Sequence, residues 1–155
     1  MRLFLVSSGQ LDGYVTMKSV AEVLGLPSMR APFSPMGLVA RIEDGLPIAA
    51  LDRLAGLVAP GDARFKYRLV PRATYGRRKD TKILSAEEGT RLARLARVWS
   101  LALDVWGDET EVRDFLFRPH AMLEDKLPID VVIQSEFGAE MVADILGSLK
   151  YGSAA

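Results

Sequence analysis

The stretch Ser85–Trp106, SAEEGTRLARLARVWSLALDVW, constrains this chain more than any other. Leu92, Leu95, Trp99, Ala102 and Trp106 recur at three- and four-residue spacing, which places them on one stripe of a helix wide enough to bury against other helices. Ser85 with Glu88 three positions on reads as a capping box, each side chain satisfying a backbone N–H that the first turn leaves unpaired. Gly107 suits the residue after the helix, where a positive φ is needed. The predicted helix is about six turns long at 3.6 residues per turn. Arg91, Arg94 and Arg97 line its first half, and from Leu101 the chain turns acidic. The helix reads as a joint between a basic half and an acidic half.

That division is hidden in the bulk figures, because 20 basic and 20 acidic residues cancel. From Arg64 to Lys82 there are eight basic residues and one acid, Asp80. From Leu103 to the end there are eleven acids against Arg113, Arg118, Lys126 and Lys150. Separated charge of this kind can offer one surface to a polyanion and another to a different partner. At 155 residues and 49% hydrophobic content, the chain can bury a core as one domain or two small ones, without a disulfide or a metal. It has no cysteine, which excludes thiol catalysis and thiolate metal sites and fits a reducing, cytoplasmic setting. The apolar run Leu3–Val6 is too short for a signal-peptide core or a membrane span.

Taken in order, residues 1–16 fit either a small hairpin around Gly9…Asp12-Gly13 or an arm that orders on a partner. Met17–Leu24 carries a short helical pattern stopped by Gly25 and Pro27, and Leu26–Gly37, with three prolines, reads as an irregular connector. From Leu38 the pattern is helical: LVARIED to Gly45, then IAALDRLAGLV after Pro47, ARFKYRL capped by Asp62, and RATYGRRK after Pro71. Beyond Trp106, helices are expected over ETEVRDFLF, from Pro128, and over EFGAEMVADILGSLK with Ser135 as its cap. In the last of these, Phe137, Met141, Val142, Ile145, Leu146 and Leu149 are expected to form a broad apolar face beside an acidic stripe of Glu136, Glu140 and Asp144.

Most enzyme chemistries fail on inventory. His120 is the sole histidine, so a two-histidine zinc motif is impossible, and no phosphate loop or GxGxxG pattern occurs. His120 lies in a proline-bounded loop with no nucleophile elbow near it, and the expectation is a packed or loop residue in a protein that is not an enzyme and needs no cofactor. The basic stretch is more informative. Two short helices joined at Val70-Pro71 suit a helix-turn-helix whose second helix enters the major groove; the alternative for the segment taken alone is a solvated basic face. Thr74, Tyr75 and Arg78 could each face inward. Gly76 inside that helix costs roughly 1 kcal/mol relative to alanine. The last helix can be an ordinary amphipathic core helix, yet its end, Leu149-Lys150-Tyr151-Gly152, places a tyrosine beside a lysine in the style of an interface anchor.

Several stretches together resemble the Xre/MbcA/ParS-type antitoxins, partners of RES-domain toxins. They are VAEVLGLP, Ile42–Pro47 leading into Ala50–Leu54, VPRATYGRRK followed by LSAEEGTRLARLARV, Val105–Asp108, Phe115-Leu116…Arg118-Pro119-His120, Leu127–Asp130, and Ile145–Gly147…Tyr151-Gly152. The resemblance covers about Val20 to Gly152, and it departs from a frequent family pattern at His120-Ala121.

The resemblance implies an all-α protein: a Cro/repressor-like helix-turn-helix, then a small helical toxin-binding domain. The expected organisation is an unassigned arm at 1–16, a DNA-binding domain at 17–82 and a toxin-binding domain at 83–155. Carried over, Arg72, Thr74, Arg77, Arg78 and Lys79 fall on the DNA-reading helix, while Glu140, Asp144, Leu149, Lys150, Tyr151 and Gly152 fall at the toxin-facing end. The resemblance implies neutralisation of an NAD-consuming or ADP-ribosylating toxin by covering its active site. It also implies repression of the protein's own operator, as a homodimer or a larger toxin–antitoxin complex. The alternative is a stand-alone DNA-binding repressor.

Overall fold

The computed structural model describes residues 17, 19–26 and 34–152. The hairpin-or-arm reading of 1–16 and most of the proline-rich connector lie outside these residues. Residues 19–23 are helical, and Val20, Ala21, Leu24 and Leu26 enter the core.

Helix α1 spans Pro35–Asp44 and begins three residues before the expected Leu38. Ser34 supplies the reason: its Oγ accepts the Gly37 N–H at 3.1 Å, and Pro35 follows in the first turn, where a missing N–H costs nothing. Gly45 ends α1 at φ 111°, a conformation that disfavours a side chain, and a Cβ there would come within 2.1 Å of Ile83 Cγ2. Helix α2 is Ile48–Val58, directly after Pro47. The helix expected over ARFKYRL shortens to α3, Lys66–Leu69, because Asp62 accepts the Arg64 N–H at 2.9 Å and holds the preceding residues in turns. Helix α4 is Arg72–Thr81. Lys82, in the left-handed region, ends it, and its C=O accepts the Ile48 N–H at 3.0 Å while Leu84 N–H reaches Leu46 O at 2.8 Å. These bonds tie the exit of α4 to the start of α2.

The long helix α5 spans Ala86–Trp106, with both bonds of the capping box in place and Gly107 at φ 67°. At 1.5 Å per residue it is about 32 Å long. It packs against α1, α2 and α3 on one side of the joint, and against α6 (Glu109–Leu116), α7 (Pro128–Gln134) and α8 (Glu136–Tyr151) on the other. Leu92, Leu95, Val98, Trp99 and Ala102 are buried, with Trp99 among the largest fully buried side chains. Burial of each large apolar side chain contributes about 1.5–3 kcal/mol. Among the described residues no helix is long and apolar enough to cross a membrane.

The arginines of α5 act as bolts between the halves. Arg91 donates to Leu69 O of α3. Arg94 and Arg97 converge on Glu136, at 3.0 and 3.1 Å, at the start of α8. From the other direction Arg113 of α6 donates to Leu57 O of α2 at 3.0 Å, and Arg68 of α3 pairs with Asp130 of α7.

Candidate functional site

Two surfaces carry the residues singled out in the sequence. On the first, α4 buries no residue of its own and is held by two side chains on one of its faces. The Tyr75 hydroxyl donates to Asp52 Oδ1 at 3.1 Å and accepts from Lys66 Nζ at 3.2 Å. That hydrogen bond with Tyr75, aided by Asp52, raises the Lys66 ammonium above its ordinary pKa. The Tyr67 ring meets Tyr75 edge-on, with centroids 5.6 Å apart. One turn further, Arg78 Nε contacts Glu88 Oε1 at 2.7 Å and Oε2 at 3.2 Å. Burial alone would raise the Glu88 pKa, but the bonds from the Ser85 N–H and Arg78 outweigh it and hold the carboxyl below the ordinary glutamate range.

With Tyr75 and Arg78 turned inward, the opposite face of α4 is free. Arg72, Arg77 and Lys79 are exposed there and at its edges. The Arg72 guanidinium stands 5.0 Å from the Tyr67 ring centroid, a cation–π contact that orients it near the start of the helix. Thr74 is half-buried and accepts weakly from Arg77 at 3.4 Å. Of the five residues expected to read DNA, Arg78 is thus the one committed to a carboxylate of its own chain. The capping box already identified Glu88, but a periodic reading does not show that its carboxylate can also take an arginine from another helix.

The second surface is the outer side of α8. The expectation of one continuous apolar face is corrected here. Val142, Ile145 and Leu146 are buried, whereas Phe137 is 80% exposed, and Met141 and Leu149 are exposed too. The reason is helical phase: Phe137 and Met141 align with Asp144, Ser148 and Tyr151, not with Ala139, Val142 and Leu146. Glu140 is exposed on the edge of this stripe, and Tyr151 is 60% exposed at its end. The last helix, expected through Lys150, runs on to Tyr151. Lys150 is held back against Asp104 of α5, which raises its pKa, while Gly152 lies exposed beyond it. Beside Tyr151 a groove of about 650 Å³ runs between residues 19–23, α5 and α8.

His120 has a local role. Its Nδ1 accepts the Met122 N–H at 3.2 Å and its ring meets Phe115 edge-on, closing the turn Ala121–Leu123. No group of three or more His, Asp or Glu side chains among the described residues could hold a metal ion.

The fold is therefore that of an all-α protein in which a helix-turn-helix with a free basic face is followed by a smaller helical domain. Residues 37–97 match the family model of the antitoxin Xre-like helix-turn-helix domain, and residues 101–152 match that of the antitoxin Xre/MbcA/ParS C-terminal toxin-binding domain. A comparison with curated proteins finds no match. The chain belongs to the Xre/MbcA/ParS-type antitoxins, and its two domains imply a toxin and DNA as partners. Both matched families are regulators, not enzymes. The two matches meet inside α5, between residues 97 and 101, so the helix is shared by both parts.

Proposed function

We propose that this antitoxin binds a RES-domain toxin, one that degrades NAD or transfers ADP-ribose, and neutralises it by covering the toxin's active site with the outer face and end of α8. The observation that carries this reading is the exposure of Phe137, Met141 and Tyr151 beside Glu140 and Asp144, on a helix that lies wholly within the toxin-binding match. Apolar anchors flanked by charge supply binding area and electrostatic steering. Inhibition by coverage asks no chemistry of this chain. The RES identity rests on the sequence resemblance.

In the same reading the protein works in the cytoplasm as a homodimer or within a larger toxin–antitoxin complex, and represses its own operon through α4. Residues 17–82 form the DNA-binding part and 83–155 the toxin-binding part. A domain of the toxin-binding type weighs against a stand-alone repressor.

The test is growth rescue. The product of the adjacent reading frame is induced in a bacterial host with and without this protein, and cellular NAD is followed. Toxicity with NAD loss, both reversed by this chain, supports an NAD-degrading toxin. Toxicity without NAD loss, reversed in the same way, supports ADP-ribosylation of a protein. Toxicity that this chain leaves unchanged overturns the reading.

A further inference from the structure

Gly76 sits in the middle of α4 and weakens that helix with no compensating contact among the described residues. It is not among the positive-φ residues, so alanine could adopt its backbone conformation. A Cβ built on it meets nothing within 4 Å among the described residues. Glycine is nevertheless among the poorest residues for a helix interior, because it surrenders the most backbone freedom. The fold therefore does not require glycine here.

The position has a direction. At 3.6 residues per turn, about 100° per residue, Tyr75 and Arg78 define the inner side of α4, and both are bonded there to Asp52 and Glu88. The opposite side presents Ala73, Gly76, Arg77 and Asp80, with Arg72 on the rim. Gly76 thus makes a notch about halfway along the outward face, to one side of the centre line held by Ala73 and Asp80, between two exposed guanidiniums.

We propose that Gly76 is the point of closest approach between α4 and DNA, and so a position that determines both affinity and sequence preference. Without a Cβ, a base edge can reach the helix main chain while Arg72 and Arg77 make their contacts on either side. The inference rests on the reading that α4 is the DNA-reading helix.

The prediction runs in opposite directions for the two properties. Gly76→Ala raises the thermal midpoint, by about 2–4 °C for a chain of this size, because the helix is better formed. The same change lowers affinity for the preferred duplex about tenfold, the scale of one lost base contact. Gly56→Ala is the control: that glycine is also exposed inside a helix, α2, with nothing within 4 Å of its Cβ position. It should raise the midpoint and leave DNA binding unchanged.

The probe is a labelled duplex enriched by the wild-type protein from a randomised pool, titrated against poly(dI–dC) as the non-specific reference. Stabilisation by both glycine variants, with binding lost only for Gly76→Ala, supports the proposal. Unchanged binding by Gly76→Ala overturns it. Arg72→Ala and Arg77→Ala separate the two levels of the argument. If they weaken binding while Gly76→Ala does not, only the close approach is wrong. If neither arginine variant changes binding, or no duplex is enriched, α4 is not the reading helix and both fall.

Discussion

Arg78 Nε lies 2.7 Å from Glu88 Oε1, so the helix with the free basic face is bonded to the first turn of the helix that carries the toxin-binding half. Adjacent arginines of α4 therefore have different duties. Arg78→Ala leaves the largely buried Glu88 carboxylate without its cation and should destabilise the protein by about 1–3 kcal/mol. Arg77→Ala touches only solvent and Thr74, and should leave stability within about 0.5 kcal/mol. In a titration of DNA against salt, Arg77→Ala should flatten the log–log slope by about 1 if it meets a phosphate. Urea melts and binding isotherms on the two variants check the division; equal destabilisation by both would refute it.

The same pair sets a pH dependence. Glu88 has its pKa lowered in the folded state, so it binds a proton more readily in the unfolded chain. Its contribution is fully present above the ordinary glutamate pKa, and is lost as pH falls through the lowered folded value. Glu88→Gln should remove that part of the acid sensitivity and cost about 1–3 kcal/mol at neutral pH. The stability difference between wild type and Glu88→Gln, measured by denaturant unfolding at stepped pH, should shrink as the solution is acidified below the glutamate range. A difference that stays constant across that range would count against the assignment.

The elements legible in the sequence were those written by local rules. The capping box at Ser85 and Glu88, the stripe through Leu92 and Trp99, and Gly107 all depend on neighbours within one or two turns, and each stands as read. The helix start at Pro35 is hard to read because three prolines within the twelve residues Leu26–Gly37 look like a connector, although Ser34-Pro35 is itself a start signal. The candidate surfaces were harder. Composition marks α4 as basic, but which arginine faces out depends on Glu88 and Asp52, which come from other helices. Similarly, the phase of α8 against α5 and α7, not its hydrophobicity, decides that Val142 goes in and Phe137 stays out.

That phase is set at Gly138. A Cβ there would lie 2.2 Å from Val131 O, a backbone atom of α7 that cannot swing aside. Gly138→Ala should therefore push α8 off α7 and cost about 1–3 kcal/mol or more, despite alanine's better helix propensity. Because α8 carries the outward stripe, toxin binding should weaken as well. Thermal melts give the stability arm. If Gly138→Ala proves stabilising, the close contact of α7 and α8 is not the constraint assigned to it.

The outward stripe itself makes the last prediction. Phe137 and Tyr151 stand at its two ends, fourteen residues and about 21 Å apart along the axis at 1.5 Å per residue. Neither supports the core, so truncating them should change stability by no more than about 0.5 kcal/mol. If they are anchors for the toxin, each alanine substitution should cost about 2 kcal/mol of binding, the level that marks an interface hot spot. Loss of the Lys150 side chain should matter less, because that ammonium is already spent on Asp104 within the chain. Titration calorimetry of the purified toxin against Phe137→Ala, Tyr151→Ala and Lys150→Ala checks the order. Losses for Phe137 and Tyr151 alone place the toxin along the whole outer face of α8. A loss for Tyr151 only confines contact to the helix end, where the groove between α5 and α8 opens beside it. No loss for either moves the interface off this face, and the proposed coverage of the toxin's active site by α8 goes with it.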